Sequence, residues 1–469
     1  MSPAIAAAAL LGVGAACWPF TVDDAFIVGR YAYNFANGAG WAFNPGAPSD
    51  GVTGPLWLLV AAAGEVLGLD PVAAAKAIGL ACSALAAALA VAWLRRRQGG
   101  TRGAWVAALL LGAQGTLAFW GVAGLETGLA TLAMTLVGLG AAARPAPQPV
   151  VVGLAGAALA WLRPEAAPAV LVGLFALALR SRRAGMIGLG LAGAGGAGVV
   201  AFRVAMFGDP LPLSYHAKPA ELVHSVPYVL EALLITTGVA GLFLAALSLW
   251  NARAGDRTLG AMVLAHLLAV VLAGGDWMPG HRMIAPVLPL YAILAGACLA
   301  RPHRGRARRA AVALLFAVAF LFPLADVVAH VPDLRAAGQT RETVGRPLAA
   351  WLAGHGESMA LVDVGFLGYV SGLRVVDLGG LTEPSVARAP GGHIDKHVDA
   401  GWLESQHPDL LVLHAAEPPE VDADGRLLTL AGFPVERRVA VMGWVRERMR
   451  VVRVTHYSPR YWYVVLSRR

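Results

Sequence analysis

The chain has 469 residues, of which 57% are hydrophobic and only 14% are charged, and its mean hydropathy is +0.62. Soluble globular proteins carry about 25% charged residues, so this composition excludes an ordinary soluble protein and predicts a polytopic membrane protein. The net charge of +8 comes mostly from arginines in short clusters between apolar runs, which argues against a nucleic-acid partner. The three cysteines lie inside apolar runs and predict neither a disulfide framework nor a zinc site.

Apolar runs long enough to cross a bilayer core of about 30 Å recur over the first 330 residues. We predict about eleven transmembrane helices, near residues 4–20, 72–94, 103–121, 124–142, 149–162, 166–180, 184–206, 228–250, 258–273, 283–300 and 310–329. The apolar segment 54–70 is short and carries Glu65. We therefore expect it to lie along the outer surface of the bilayer, with Trp57 at the level of the headgroups.

Arginine clusters recur at every second connection between the predicted spans, at residues 95–102, 144, 180–183, 253–257 and 301–309. Cytoplasmic loops carry an excess of Arg and Lys, so this pattern predicts a cytoplasmic N-terminus and an outer C-terminus in the plasma (inner) membrane. Of the thirteen acidic residues between Met1 and His330, all except Asp256 then lie on or near the outer face. Acidic residues contribute little to orientation, so this bias indicates either a polar site on the periplasmic side or a solvated outer surface.

The chain changes character near residue 331. We divide it into a transmembrane domain, residues 1–330, with an outer loop and juxtamembrane helices at 21–71, and a soluble extracytoplasmic α/β domain, residues 331–469. In the second domain, segment 358–384 has the pattern of strand, short helix and strand. Segment 407–414 has the pattern of a buried strand, and segment 448–469 that of a closing hairpin.

Five stretches on the predicted outer face carry acids, bases and cations. In chain order they contribute Asp23, Asp24, Arg30, Tyr31 and Asn44; Glu126; Arg163 and Glu165; Tyr215, His216 and Lys218; and Asp276, Trp277, His281 and Arg282. Taken singly, each residue could be a helix cap, a local ion pair or an interface anchor. Taken together, they predict a catalytic cleft that is built from turns between different spans.

The residue types indicate the chemistry of such a cleft. Arg30, Arg163, Lys218 and Arg282 offer cations to a phosphate group, and a carboxylate at the membrane surface can accept the proton of an attacking hydroxyl. Two adjacent carboxylates beside lipid are costly, which makes Asp23 and Asp24 the candidates for this base. Asp24 is the first choice because helical spacing places it on one face with Tyr31.

These features predict the transfer of a sugar from polyprenyl phosphate to an acceptor hydroxyl. No nucleotide-binding motif is present in the sequence, which fits a donor that arrives within the bilayer. A divalent cation held by Asp24, Asp276 and His281 is an open alternative, because carboxylate and imidazole suit several ions, but no tight ligand spacing supports it.

An ordered set of motifs resembles the GT-C superfamily of membrane glycosyltransferases. The motifs are DDAFIVGRYAYNFANGAGWAFNPG, DGVTGPLW, GLETG, RPE, GDPLPLSYHAK and GGDWMPGHRMIAPVLPL. More narrowly, they are similar to the mycobacterial terminal β-(1→2)-arabinofuranosyltransferases and their bacterial relatives. The resemblance spans about residues 20–300 and implies an inverting enzyme that transfers arabinofuranose from a polyprenyl-phosphate donor to a cell-envelope glycan.

By the match, Asp23 and Asp24 inherit the role of the catalytic aspartate, and Lys218, His281 and Arg282 face the donor phosphate. Two departures leave the sugar and the acceptor open: the soluble part is short for an arabinan enzyme, and LPLS stands where many relatives have LPNT.

Three alternatives remain. A GT-C enzyme could transfer another polyprenyl-phosphate sugar, such as mannose, to protein or lipid, and a non-catalytic homologue could act as a scaffold. A polyprenyl-lipid transporter or flippase is the competing class. Neither an inverted repeat of the spans nor a broken helix with an ionisable midplane residue is evident in the sequence, and His266 is the nearest candidate for such a residue.

Overall fold

The structure, a computed structural model, describes residues 2–98, 101–143, 146–218, 222–237, 254–299 and 305–468. The second half of the span predicted at 228–250 lies outside the described residues, as do Arg144, Arg253, Arg301 and Arg304. The helices of the first part are α1 Ser2–Ala16, α2 Asp23–Ala36, α3 Pro55–Val66, α4 Pro71–Gln98, α5 Thr101–Gly112, α6 Gly115–Val122, α7 Thr127–Ala142, α8 Pro149–Ala160, α9 Ala167–Arg180, α10 Arg182–Phe207, α11 Leu213–Ala217, α12 Leu222–Thr237, α13 Ala254–Leu272, α14 Leu288–Leu299 and α15 Arg306–Thr340.

Within the described residues, four helical stretches are long and apolar enough to cross a membrane: Pro71–Arg96, Arg182–Phe207, Gly255–Leu272 and Arg309–Ala353. A fifth results if α5 and α6, which meet at an angle of 52°, form one broken span. Six further apolar helices are shorter. Together with the fold described below, these helices indicate a multi-pass membrane protein, while the number of eleven spans and their orientation stay predictions.

Helix α3 packs inside the protein through Trp57. The indole of this residue is fully buried, and its Nε1 donates a hydrogen bond of 2.9 Å to the carbonyl oxygen of Gly124. This contradicts the expectation that Trp57 faces the lipid headgroups. A buried indole needs a partner for its N–H, and the turn before α7 supplies that partner.

The C-terminal part contains a mixed sheet with helices around it. Its strands are β3 Ser358–Leu361, β4 Arg374–Asp377, β5 Leu410–Ala415, β8 Met449–Ser458 and β9 Tyr461–Arg468, in the order β4-β3-β5-β9-β8. Short two-stranded sheets form from β1 Ala42–Asn44 and β2 Ala47–Pro48, and from β6 Glu420–Val421 and β7 Leu427–Thr429. The helices of this part are α16 Arg346–Ala353, α17 Val364–Ser371, α18 Pro384–Ala387, α19 Ala400–Ser405, α20 Pro434–Ala440 and α21 Gly443–Arg448.

The local predictions for this part are confirmed. Strand β3, helix α17 and strand β4 follow one another in segment 358–384, and β3 pairs in parallel with both β4 and β5. All four residues of β3 are buried, as expected for a parallel strand that is covered on both faces. Strands β8 and β9 form the closing antiparallel hairpin.

A continuous helical segment joins the two parts. Helix α15 is followed by one wide turn at Arg341–Gly345 and then by α16, so residue 331, at which we divide the sequence, lies inside a helix. The guanidinium of Arg341 donates to the carbonyl of Thr21 and lies 5.2 Å from the ring centroid of Phe26 and 5.4 Å from that of Phe366. The wide turn therefore sits where the outer loop meets the C-terminal part with the mixed sheet β4-β3-β5-β9-β8 and helices α16 to α21, which we call the sheet domain.

Helix α2 carries the contact between the outer loop and the sheet domain. The Arg30 guanidinium is buried and donates to the carbonyls of Phe43 (2.8 Å), Gly368 (2.5 Å) and Leu373 (2.7 Å). The side chain of Asn44 pairs with the backbone of β4. Its amide N–H donates to the Val375 carbonyl (2.7 Å) and its oxygen accepts from the Val375 N–H (3.0 Å).

The carboxylate of Asp23 caps helix α17 from outside that helix. It accepts hydrogen bonds of 2.9 Å from the backbone N–H groups of Gly365 and Phe366. The first N–H groups of a helix lack partners inside the helix, and the helix dipole favours a negative charge there. Asp23 therefore fastens the first residue of α2 to the sheet domain.

We predict that Gly365→Ala loosens this contact. A Cβ atom at Gly365 would overlap the backbone oxygen and the carboxylate of Asp23, and overpacking of this kind costs about 1–3 kcal/mol. Thermal unfolding and limited proteolysis in detergent should show a less stable sheet domain. Gly443→Ala in the same domain is the matched control, because a Cβ there meets nothing within 4 Å. Equal stability of the two variants would contradict the role of this contact.

Candidate active site

The two adjacent aspartates at the start of α2 point to different partners. Asp23 holds the N–H groups of α17, whereas Asp24 Oδ2 lies 3.6 Å from Lys218 Nζ. Lys218 directly follows the short helix α11, in a different outer turn of the chain. Asp24 and Lys218, which come from two of the five predicted stretches, are therefore in contact, whereas Asp23 contacts α17 instead.

The environment of Asp24 keeps it ionised. Burial alone would raise the pKa of this carboxyl, but the positive charges of Lys218 and Arg282 outweigh burial and hold the pKa below its ordinary value. An ionised carboxylate beside a lysine can accept a proton from a neutral hydroxyl while the cation balances its charge. This is the form that a general base requires.

The turn between α13 and α14 adds a second cation and an exposed aromatic ring. Arg282 Nε lies 2.5 Å from Asp276 Oδ2, and the guanidinium lies 5.3 Å from the ring centroid of Trp120. Lys218 Nζ lies 5.7 Å from the ring centroid of Trp277, whose side chain is 69% exposed. Lys218, Arg282 and Trp277 therefore surround Asp24 from two turns that are about 60 residues apart in the sequence.

A buried ion-pair cluster lies next to this turn. Arg163 Nε is 2.8 Å from Glu126 Oε1, and Arg163 Nη1 is 3.1 Å from Glu165 Oε1. Burial would lower the pKa of Arg163, but Glu126, Glu165 and Asp276 together raise it, so the guanidinium stays charged. Its Nη2 is buried and has no hydrogen-bond partner among the described residues, which leaves one donor for an anionic group.

His281 occupies a strained position in the same turn as Arg282. Its φ is 56°, in the left-handed region that few residues other than glycine adopt, and its ring centroid lies 5.6 Å from that of Tyr228. Burial lowers the pKa of His281, so the imidazole is neutral near pH 7. Its Nδ1 is buried without a hydrogen-bond partner in the described part of the chain.

Three residues that we expected to bind substrate instead hold the outer loop together. All of the Arg30 hydrogen bonds described above go to the protein's own groups, so this guanidinium does not reach a phosphate. Asn44 is paired with the edge of β4, and Tyr31 is buried with its hydroxyl 2.6 Å from Ser49 Oγ. In this structure the polar groups of all three residues have partners inside the protein, which gives them structural contacts and lends no support to the expected contact with substrate.

Tyr215 and His216 lie at the outer edge of the site. Tyr215 is 62% exposed, and His216 Nε2 lies 3.0 Å from Asp209 Oδ2. Asp209 also accepts a 2.9 Å contact from Arg388 of the sheet domain. Helix α11, which leads to Lys218, is therefore held by the sheet domain.

The sheet domain contributes a site residue that the sequence analysis missed. His393 lies in the loop between α18 and α19, and its Nδ1 is 2.9 Å from the carbonyl oxygen of Gly379. Burial and the nearby charge of Lys218 lower the pKa of His393 to about 4, so its imidazole is neutral near pH 7. No motif or periodicity marks this histidine, and only the docking of the two domains brings it to Asp24.

The part of the chain that the structure describes offers no cluster for a divalent cation. Within the described ranges, no group of three His, Cys, Asp or Glu side chains is placed to hold a metal ion. Of the three residues considered as ligands, Asp24 is paired with Lys218 and Asp276 with Arg282. The ammonium group of Lys218 and the guanidinium group of Arg282 are therefore the cations next to these two carboxylates.

Comparison with solved structures identifies the fold. The crystal structure of ArnT from Cupriavidus metallidurans in the apo state matches with a TM-score of 0.64 at 14% identity, and the match covers 98% of this chain and 97% of that one. The same enzyme bound to undecaprenyl phosphate matches with a TM-score of 0.63 at 14% identity and the same coverage. ArnT is a GT-C glycosyltransferase that transfers 4-amino-4-deoxy-L-arabinose. The chain has the GT-C fold.

The remaining comparisons add little about function. A family described as "Domain of unknown function (DUF8728)" matches residues 332–465. A search of curated proteins finds no match. The GT-C fold expected from the motifs is therefore confirmed as a fold, whereas the narrower likeness to mycobacterial arabinofuranosyltransferases has no support from these structures.

We predict that the Glu126–Arg163 pair stabilises the site. Glu126→Gln removes the closest charge from a buried arginine, and loss of one partner of a buried ion pair costs up to about 3–5 kcal/mol. Glu165→Gln is the matched control, because it leaves the 2.8 Å contact to Glu126 in place. Thermal unfolding in detergent should show the larger loss for Glu126→Gln. A larger loss for Glu165→Gln would contradict this ranking.

Proposed function

We propose that the protein is an inverting glycosyltransferase that moves a sugar from a polyprenyl-phosphate donor to a hydroxyl of a cell-envelope glycan. The observation that carries the proposal is the ionised Asp24 beside Lys218 and Arg282, in a fold shared with a transferase structure bound to undecaprenyl phosphate. The arginine clusters support an arrangement in which the site and the sheet domain lie on the periplasmic face of the inner membrane.

In the proposed reaction, Asp24 takes the proton of the attacking hydroxyl. The new bond joins the acceptor oxygen to the anomeric carbon on the face opposite the phosphate, and the bond from that carbon to the phosphate oxygen breaks. Polyprenyl phosphate leaves with the bonding electron pair. Lys218 and Arg282, with the spare Nη2 of Arg163, stabilise the charge on this leaving group.

The donor requires neither a nucleotide nor a metal site in this scheme. A polyprenyl chain stays in the bilayer, so its phosphate reaches the cations at the surface of the helical domain. Binding of two or three side-chain cations to one phosphate is charge-assisted and directional. Trp277, which is exposed next to Lys218, offers an aromatic face for the sugar or the isoprenoid.

The proposed sugar is arabinofuranose, on the basis of the motifs in the outer turns. Another polyprenyl-phosphate sugar, such as mannose, is the second candidate within the same chemistry. A lipid transporter is the competing class, and the GT-C fold together with the Asp24 environment favours a transferase. In detergent, where no compartments exist, a covalent product separates a transferase from a transporter, and the donor that yields the product separates arabinofuranose from mannose.

We predict that Asp24→Asn lowers sugar transfer by about 10²–10⁴-fold, because the amide keeps the shape of the side chain but cannot accept the proton. The assay uses synthetic polyprenyl-phosphate donors carrying arabinofuranose or mannose and an arabinofuranose oligosaccharide acceptor. Asp23→Asn should lower the thermal stability of the protein but have a smaller effect on turnover than Asp24→Asn, since Asp23 caps α17.

Asp399→Asn is the matched control for the Asp-to-Asn substitutions at Asp23 and Asp24. Asp399 also caps a helix, α19, through the N–H of Trp402, but it takes no part in the contacts around Asp24. Full turnover by the Asp24→Asn variant would exclude Asp24 as the general base. The absence of any covalent product from the wild-type protein with every donor would exclude the transferase and favour the transporter.

A further inference from the structure

The loop between α18 and α19 reaches across from the sheet domain to the candidate active site. Arg388 Nη2 in this loop contacts Asp209 Oδ2 at 2.9 Å, and Lys396 Nζ donates to the carbonyl of His216 at 3.3 Å. Both partners lie just before Lys218 in the sequence. The loop is therefore held against the turn that carries the cation next to Asp24.

Lys396 fixes the conformation of this loop. Its side chain is buried, and its ammonium also donates to the carbonyls of Ala387 (2.8 Å) and Ala389 (3.0 Å). A buried ammonium is costly unless its three hydrogens have partners. The three carbonyls supply those partners, so the chain on either side of His393 has little freedom to move.

The orientation of His393 follows from its contact with the backbone. A carbonyl oxygen only accepts, so Nδ1 carries the proton that the Gly379 carbonyl binds. In the neutral imidazole, Nε2 is then an acceptor, and among the described residues it has no hydrogen-bond partner. The ring also packs tightly against Gly379, where an added Cβ would overlap Cε1.

The position of His393 relative to the membrane indicates which substrate it meets. The polyprenyl donor is anchored in the bilayer, so its phosphate approaches Lys218 and Arg282 from the helical domain. Under the proposed function, a water-soluble glycan would approach from the opposite side, which is the side of the sheet domain. A residue that the sheet domain places near Asp24 therefore faces the acceptor and not the lipid.

We propose that His393 binds the acceptor glycan, with Nε2 accepting a hydrogen bond from a sugar hydroxyl and so orienting the attacking hydroxyl toward Asp24. This inference rests on the proposed function and adds an acceptor site to it. It makes the sheet domain a part of the active site, because without the docked loop the acceptor side of Asp24 has no imidazole.

Two different changes test this role. His393→Ala removes the acceptor nitrogen, and Gly379→Ala leaves the imidazole in the chain but forces the ring out of its place. We expect each to raise KM for an arabinofuranose oligosaccharide about tenfold, as for the loss of one hydrogen bond, while the affinity for undecaprenyl phosphate stays unchanged. His393→Gln should recover part of the loss, because its carboxamide oxygen can accept a hydrogen bond.

Gly392→Ala is the matched control for Gly379→Ala. It is the same substitution next to His393, and a Cβ there meets nothing within 4 Å, so KM for the oligosaccharide should not change. An unchanged KM in both His393→Ala and Gly379→Ala would overturn the inference. Weaker binding of undecaprenyl phosphate in these variants would also overturn it, because His393 would then act on the donor side.

Direct binding separates this inference from the proposed function. If the wild-type protein transfers no sugar, the proposed function fails, and titration of the arabinofuranose oligosaccharide against wild-type protein and His393→Ala still decides the acceptor site. Weaker binding to the variant supports the site, and equal or absent binding overturns it. Thermal unfolding of each variant identifies a loss of fold, and His393→Gln then provides the second test.

Discussion

The buried guanidinium of Arg30 is the interaction on which the arrangement of the outer surface depends. A charge that is removed from water is tolerated only when its N–H groups have partners. Here the partners are carbonyls of β1, of α17 and of the turn before β4. One side chain of α2 therefore joins the outer loop to the sheet domain, and the position of Asp24, six residues earlier in the same helix, follows from that contact.

Because α2 is held in this way, its two acidic residues take on separate tasks. Asp23 meets the N–H groups of α17, where burial raises its pKa despite the nearby Arg341, and Asp24 meets the positive charges of Lys218 and Arg282, which lower its pKa. Neighbouring residues on a helix point about 100° apart. That difference is enough to place one carboxylate at a domain interface and the other in a cleft.

Local features of the structure could be predicted from the sequence, and contacts between distant segments could not. Hydrophobic runs indicated a membrane protein, and the strand, helix and strand at 358–384 and the closing hairpin were predicted because their patterns are local. The outer turns with Lys218 and Arg282 were identified by their residue types. The contacts of Arg30 and Asn44 with the sheet domain were not predicted, because those partners are carbonyl and amide groups more than 300 residues away.

His393 is a residue whose position near the site could not be predicted from the sequence, because that position also depends on contacts between distant segments. A single histidine in a glycine-rich loop has no periodicity and no motif, and it becomes relevant only when the loop is fastened to α11 by Lys396 and Arg388. Trp57 is a similar case, because an apolar helix with a tryptophan resembles an interfacial helix until its indole is paired with the Gly124 carbonyl. Both depend on packing between elements that the sequence does not place together.

A structure of the protein with bound undecaprenyl phosphate tests the central claim most directly. The account predicts density for the phosphate within hydrogen-bond distance, about 3 Å, of Lys218 Nζ and the Arg282 guanidinium, with the isoprenoid leading into the helical domain. Asp24 should lie on the side of the phosphate that faces the sheet domain, free to accept a proton. A phosphate bound away from Lys218 and Arg282, or one that occupies the cleft between Asp24 and His393, would contradict the account.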